Sequence, residues 1–169
     1  MASGKVCAQV VRISQPAANY PQPIIVAGGS TPAERIPAWA FDPSTVEYID
    51  LLCYMNGYDG GGITLTFIWS SGATTGNVVW SAAFRRLQDD AEDIDTSQAY
   101  DYNNATADAT ASASREQAYT TLAFTNGADM DSVANNEFFV LRVRRVATDA
   151  NDTLNSNDAE LWGVVIKET

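Results

Sequence analysis

The sequence contains no histidine, only two cysteines, and ten lysines and arginines against 21 aspartates and glutamates in 169 residues. Without histidine the commonest general base and the commonest zinc ligand are both missing, and Ser-His-Asp and Cys-His nucleophile pairs are excluded. Cys7 and Cys53 lie in apolar stretches, a setting for buried free thiols rather than a disulfide framework. The shortage of cations leaves a formal net charge of −11. Such a chain is repelled by nucleic-acid phosphates, whose binding relies on Lys and Arg releasing counterions, and by anionic membrane surfaces. No apolar run approaches the ~20 residues needed to cross a bilayer. The N-terminal MASGKVCAQVV lacks the apolar region and cleavage pattern of a secretion signal. The expectation is a protein made in a cytoplasm, with no direct nucleic-acid partner and no membrane partner.

What is present leans towards β structure. Charged residues make up 18% of the chain, below the ~25% of average soluble domains. Thr, Ser, Asn, Ala and Gly take their place, and β-branched Thr suits an exposed pleated face while Asn and Gly suit turns. Strands are expected over residues 6–13, 38–41, 47–55, 63–70, 78–87, 118–125, 137–147 and 160–168, with a short one near residues 99–103. The clearest is ITLTFIWS, in which Ile63, Leu65, Phe67 and Trp69 alternate with Thr64, Thr66, Ile68 and Ser70 and mark one buried face. No segment carries an amphipathic helical stripe. Eight or nine strands separated by turn signals describe an all-β, antiparallel two-sheet sandwich, and a jelly roll suits that count.

One segment stands apart. Residues 14–37 hold Pro16, Pro21, Pro23, Pro32 and Pro37, five of the six prolines. Proline fixes φ and removes backbone donors, so this stretch reads as an extended, polyproline-like arm rather than a helix or an interior strand. The division expected is an N-terminal strand and Pro-rich arm over residues 1–37, then a sandwich domain over residues 38–169. Ile24, Ile25 and Val26, with Tyr20 beside them, give the arm apolar side chains that need burial against something, and they are the candidate partner-binding residues.

Motifs that could carry chemistry are sparse, and no catalytic, cofactor-binding or metal-binding residue is assigned. The run Asp89, Asp90, Glu92, Asp93 and Asp95 lacks the spacing and turn glycine of a calcium loop and reads as a solvated loop. The cluster Asp149, Asn151, Asp152, Asn155, Asn157 and Asp158 reads as turn-capping residues. Gly60, Gly61 and Gly62 precede a strand, not a helix, and so form no phosphate cradle. Trp39, Trp69, Trp80 and Trp162 fall in expected strands, where aromatic area is mostly buried. Tyr100, Asp101 and Tyr102 lie nearer loops and form a possible glycan-stacking platform. Arg85, Arg86, Arg142, Arg144 and Arg145 concentrate on two strands, paired with acidic neighbours or facing an acidic partner.

From Phe41 onward the order of motifs resembles small jelly-roll structural proteins of tailed bacteriophage virions. The resemblance rests on FDPSTVEYIDLLCYM, the Gly-rich turn, ITLTFIWSSGATTGNVVW, EFFVLRVRRVATDANDTL and the closing DAELWGVVIKE. It covers about three quarters of the chain and implies a fold family, not an active site. It implies a non-enzymatic capsid decoration or cement protein on the outer surface of a virion, commonly a homotrimer, with the major capsid protein or neighbouring virion proteins as partners. The alternative it leaves open is a head-fibre or tail-appendage module that binds host surface glycan.

Overall fold

The computed structural model describes residues 4–91, 93–96 and 99–169. In chain order the strands are β1 (Ala8–Ser14), β2 (Gln22–Gly28), β3 (Glu34–Phe41), β4 (Glu47–Met55), β5 (Ile63–Ser70) and β6 (Asn77–Val78). They continue with β7 (Trp80–Leu87), β8 (Asn103–Asn104), β9 (Asp108–Ala109), β10 (Ala118–Phe124), β11 (Phe138–Arg145) and β12 (Ala159–Glu168). The only helical element among the described residues is a single 3₁₀ turn, Ala128–Met130. Two five-stranded antiparallel sheets, ordered β1-β4-β11-β7-β8 and β10-β5-β12-β3-β2, pack face to face as a sandwich. From β3 to β7, and again from β10 to β12, successive long strands alternate between the sheets.

The core follows from period-two patterning, since alternate side chains of a strand point to one face. In β5, Ile63, Leu65, Phe67 and Trp69 are all fully buried, and β4 contributes Ile49, Leu51, Cys53 and Met55 from the opposite sheet. Trp80 of β7 sits at the centre: its ring stacks on Phe67 at 5.6 Å and meets Phe41 edge-on at 5.1 Å and Trp69 at 6.2 Å. Offset and edge-to-face geometries of this kind add to the area that the rings bury. Gly76 makes the turn before β6 at a φ of 110°, where a Cβ would stand 2.9 Å from Leu154 Cα. Both the backbone and the space there require glycine.

Arg145 continues the inner register of β11 after Phe139, Leu141 and Val143, and it is fully buried. Its five N–H donors all find acceptors. Nε and Nη2 reach the two carboxylate oxygens of Asp152 at 3.1 and 2.8 Å. Nη1 donates to the carbonyls of Phe41 and Asn157, and Nη2 also donates to that of Leu154. Asp152 in turn accepts the Val79 N–H at 3.0 Å. The residues that read as a turn cluster between the last two strands are therefore folded around one buried guanidinium.

Residues 14–37, expected as an extended Pro-rich arm, contain paired strand as well. The segment is extended, as its prolines dictate, but β2 pairs with β3 residue for residue from Gln22↔Ala40 to Gly28↔Glu34, and Pro37, the expected end of the arm, lies inside β3. The prolines are tolerated because β2 is an edge strand and because β3 pairs with β12 only from Trp39 to Phe41, beyond Pro37. The preceding strand β1 is a member of the other sheet, paired along β4 with a bulge between Val10 and Arg12.

Two outcomes test this packing. Arg145→Met should destabilise the protein by about 3–5 kcal/mol because it leaves the Asp152 carboxylate buried without its partner. In urea unfolding, Arg145→Met/Asp152→Leu should cost less than the single change; equal losses would contradict the assignment. Deleting residues 1–14 should lower the melting temperature by several degrees, since it strips β4 of a neighbour and removes the buried Cys7 and Ala8. An unchanged thermal transition in circular dichroism would show that β1 contributes nothing to the fold.

Candidate functional site

The sandwich gapes along one flank. Val10 and Ile13 of β1 occupy inward positions, opposite the buried Cys53 and Leu51, yet they are 40% and 47% exposed. The facing sheet covers them only in part: β3 pairs with β12 over just three residues, and β12 meets them with residues 161–164 across a hollow. A bulge between Leu161 and Gly163 in β12 sets Trp162 out of the ladder, with its Nε1 donating to Ser70 Oγ at 3.0 Å. The result is a pair of hollows of about 380 and 180 Å³ that share Ile13, Trp39 and Trp162. Their lining has no charged side chain: Pro23, Ile24, Ile25 and Pro37 bound the outer hollow, and Ile49 and Leu51 lie at the inner one.

Charge is distributed unevenly with respect to this flank. Residues 1–41, which contain β1, β2 and β3, carry Lys5, Arg12 and Arg35 against a single carboxylate, Glu34. The remaining 128 residues carry seven cations and twenty carboxylates, so +2 on the flank segment faces −13 on the rest. Exposed β-branched residues gather on the same segment: Val6, Val10, Val11, Ile13 and Ile25 are all exposed. Clustered apolar exposure is what distinguishes candidate contact surfaces from singly scattered apolar side chains.

Of the residues that the sequence singles out for contact, Ile24 and Ile25 line the flank, Ile25 at 46% exposure. Tyr20 is exposed in the connection between β1 and β2, whereas Val26 is buried at 7% exposure and is a packing residue of the ribbon. Sequence reasoning missed Val10, Ile13, Trp39 and Trp162 as flank residues. Their alternation reads as ordinary core, and the signal that could have found them is the near absence of carboxylates before Asp42.

The Tyr100, Asp101 and Tyr102 group lies over the outer face of the β1-β4-β11-β7-β8 sheet. Arg142 is held by Asp50 through two bonds of 2.6 and 2.7 Å and lies 4.2 Å from the Tyr100 ring centroid. Arg144 lies 3.7 Å from that of Tyr102 and donates to Ser81 Oγ at 3.1 Å. One face of each ring is thus taken by a guanidinium in a cation–π contact; Asp101 is exposed. Burial, opposed by the two arginine charges, pushes the Tyr102 phenol up to about 12. Arg86 chelates Glu137, so four of the five clustered arginines meet a carboxylate or an aromatic ring.

Asp89, Asp90, Asp93 and Asp95 are exposed, and Glu92 of the same run lies outside the described residues. Among the described residues no group of three or more Cys, Asp or Glu is placed to hold a metal ion, and no helix is long and apolar enough to cross a membrane. Both cysteine thiols are buried and free; burial pushes Cys7 up to about 11 and Cys53 up to about 12. No protein-family model matches the chain, and no curated protein matches it.

The raised Tyr102 phenol gives a pH prediction with a definite sign. A group whose folded pKa lies above its unfolded value stabilises fully below the unfolded pKa, and that contribution is lost as pH rises through the folded one. Stability should therefore fall between pH ~10, the ordinary phenol value, and about 12. Urea unfolding across this range should show a shallower fall in Tyr102→Phe; an identical slope in the variant would contradict the burial of that hydroxyl.

Proposed function

We propose that the protein is a non-enzymatic structural component of a tailed-phage virion, of the capsid decoration or cement type, folded as a jelly roll. Taking β3, β4, β5, β7, β8, β10, β11 and β12 as the first to eighth strands, the sheets read 1-8-3-6 and 2-7-4-5. Neighbours such as 1 with 8 and 2 with 7 are what a long hairpin forms when it rolls up on itself, which supports the jelly-roll reading. The functional part of the proposal is carried by one observation, an apolar flank whose hollows are lined by no charged side chain, on a molecule that is otherwise strongly acidic. Attachment to a shell needs buried area and complementary shape rather than chemistry, and an acidic surface suits the outside of a particle better than its DNA-facing interior.

In this reading the flank binds a neighbouring virion protein. The ribbon of β2 and β3 already has its backbone paired, so docking costs little ordering entropy. Ile13→Asp and Ile25→Asp place a charge where the contact would be desolvated, at exposed positions that the fold does not need. Each should reduce co-sedimentation with phage particles at least about tenfold while circular dichroism stays unchanged. Undiminished particle binding by both variants would remove the flank from the proposal.

A further inference from the structure

We infer that the flank takes an extended segment of the neighbouring protein as an added strand, paired with β12 at Val164; the inference rests on the flank being a docking surface. The edge of β12 that faces away from β5 is paired at both ends and open in the middle. β3 pairs with it from Ala159 to Leu161. The N-terminal segment takes over at the far end, where the Cys7 N–H donates to Ile166 O at 3.2 Å, the Glu168 N–H to Lys5 O at 2.9 Å and the Gly4 N–H to Glu168 O at 2.8 Å. Among the described residues no segment pairs with this edge over residues 162–165.

Parity decides which backbone groups lie in the break. Successive residues of an antiparallel strand direct their N–H and C=O to opposite sides. Ile166 and Glu168 turn theirs away from β5, towards the N-terminal segment, and no bulge interrupts β12 between Gly163 and Glu168. Val164 therefore turns its N–H and C=O into the break, while Gly163 and Val165 turn theirs to β5. β3 cannot supply the missing partner. Pro37, whose backbone faces the same side of β3 as that of Trp39, lies two residues past the last pair and has no N–H to give. Val164 also lines the inner hollow of about 180 Å³, together with Val10, Ile49 and Leu51. A backbone donor and acceptor at the wall of an apolar hollow call for an acceptor and a donor at backbone spacing, with an apolar side chain beside them. An extended peptide carries all three, and strand addition to a sheet edge uses them in this way: main-chain bonds for affinity, a side-chain pocket for specificity. Roughly 150 Å³ is enough to hold a benzene ring, so the inner hollow admits one uncharged side chain of leucine or phenylalanine size.

Residue-resolved hydrogen exchange on the full chain, free and bound to phage particles, tests the pairing. In the free protein the Val164 amide should exchange at least about tenfold faster than those of Gly163 and Val165, and on particles it should slow at least about tenfold. Val164→Pro removes an N–H that β5 does not use, so the variant should fold, as seen by circular dichroism, and lose at least about tenfold in co-sedimentation with particles. A Val164 amide as slow as its neighbours in the free protein, one that stays fast on particles, or undiminished particle binding by Val164→Pro would each overturn the inference. If that variant does not fold, the exchange rates of the unaltered chain decide. Loss of particle binding in Ile13→Asp and Ile25→Asp, with the Val164 amide still fast on particles, would leave the proposed function standing and remove only the added strand; an unaltered chain that does not bind particles would remove both.

Discussion

A single guanidinium with all five donors occupied closes one end of the core, and much of the architecture is arranged around it. Arg145 draws carbonyls from the end of β3, from the loop after β11 and from the approach to β12 to one point. Its partner Asp152 also fixes the backbone of Val79 between β6 and β7. Both sheets are therefore tied together at this end by one charge pair. A buried pair gains little over a hydrophobic equivalent, but breaking it is costly, so its contribution is to hold these segments in one arrangement.

The opposite constraint acts at the flank. β3 reaches β12 for only three residues, and the bulge at Trp162 shifts the register of β12 beside it. Inward-facing side chains of β1 are consequently left in water. Exposing apolar side chains of this size forgoes ~25 cal/mol per Å² of area, a loss that a partner seated there would recover. Most of the carboxylates lie elsewhere in the chain, so the flank is also the surface least repelled by an acidic neighbour.

Much of the sandwich was legible in the sequence because period-two alternation is a direct consequence of pleating: β4 and β5 begin and end where their patterns predict. The same rule concealed Arg145, which occupies an inner position where alternation predicts an apolar side chain. It also concealed the flank, since Val10 and Ile13 alternate like core residues and only the arrangement of the opposite sheet leaves them uncovered. Pro23 and Pro37 misled in another way. Local proline chemistry excludes interior pairing, but whether a strand is an edge, or whether pairing begins two residues later, is settled by tertiary context. Tyr100 and Tyr102 read as loop aromatics, and the arginines beneath them lie some forty residues further along the chain.

The proposed function requires this domain to bury its apolar flank against another protein on the outer surface of a virion. A particle map at side-chain resolution tests it most directly. Density for the sandwich is expected outside the shell, with Ile13, Ile25 and Trp39 covered by a neighbouring virion protein. Density inside the shell, or outside it with the flank facing solvent, would contradict it.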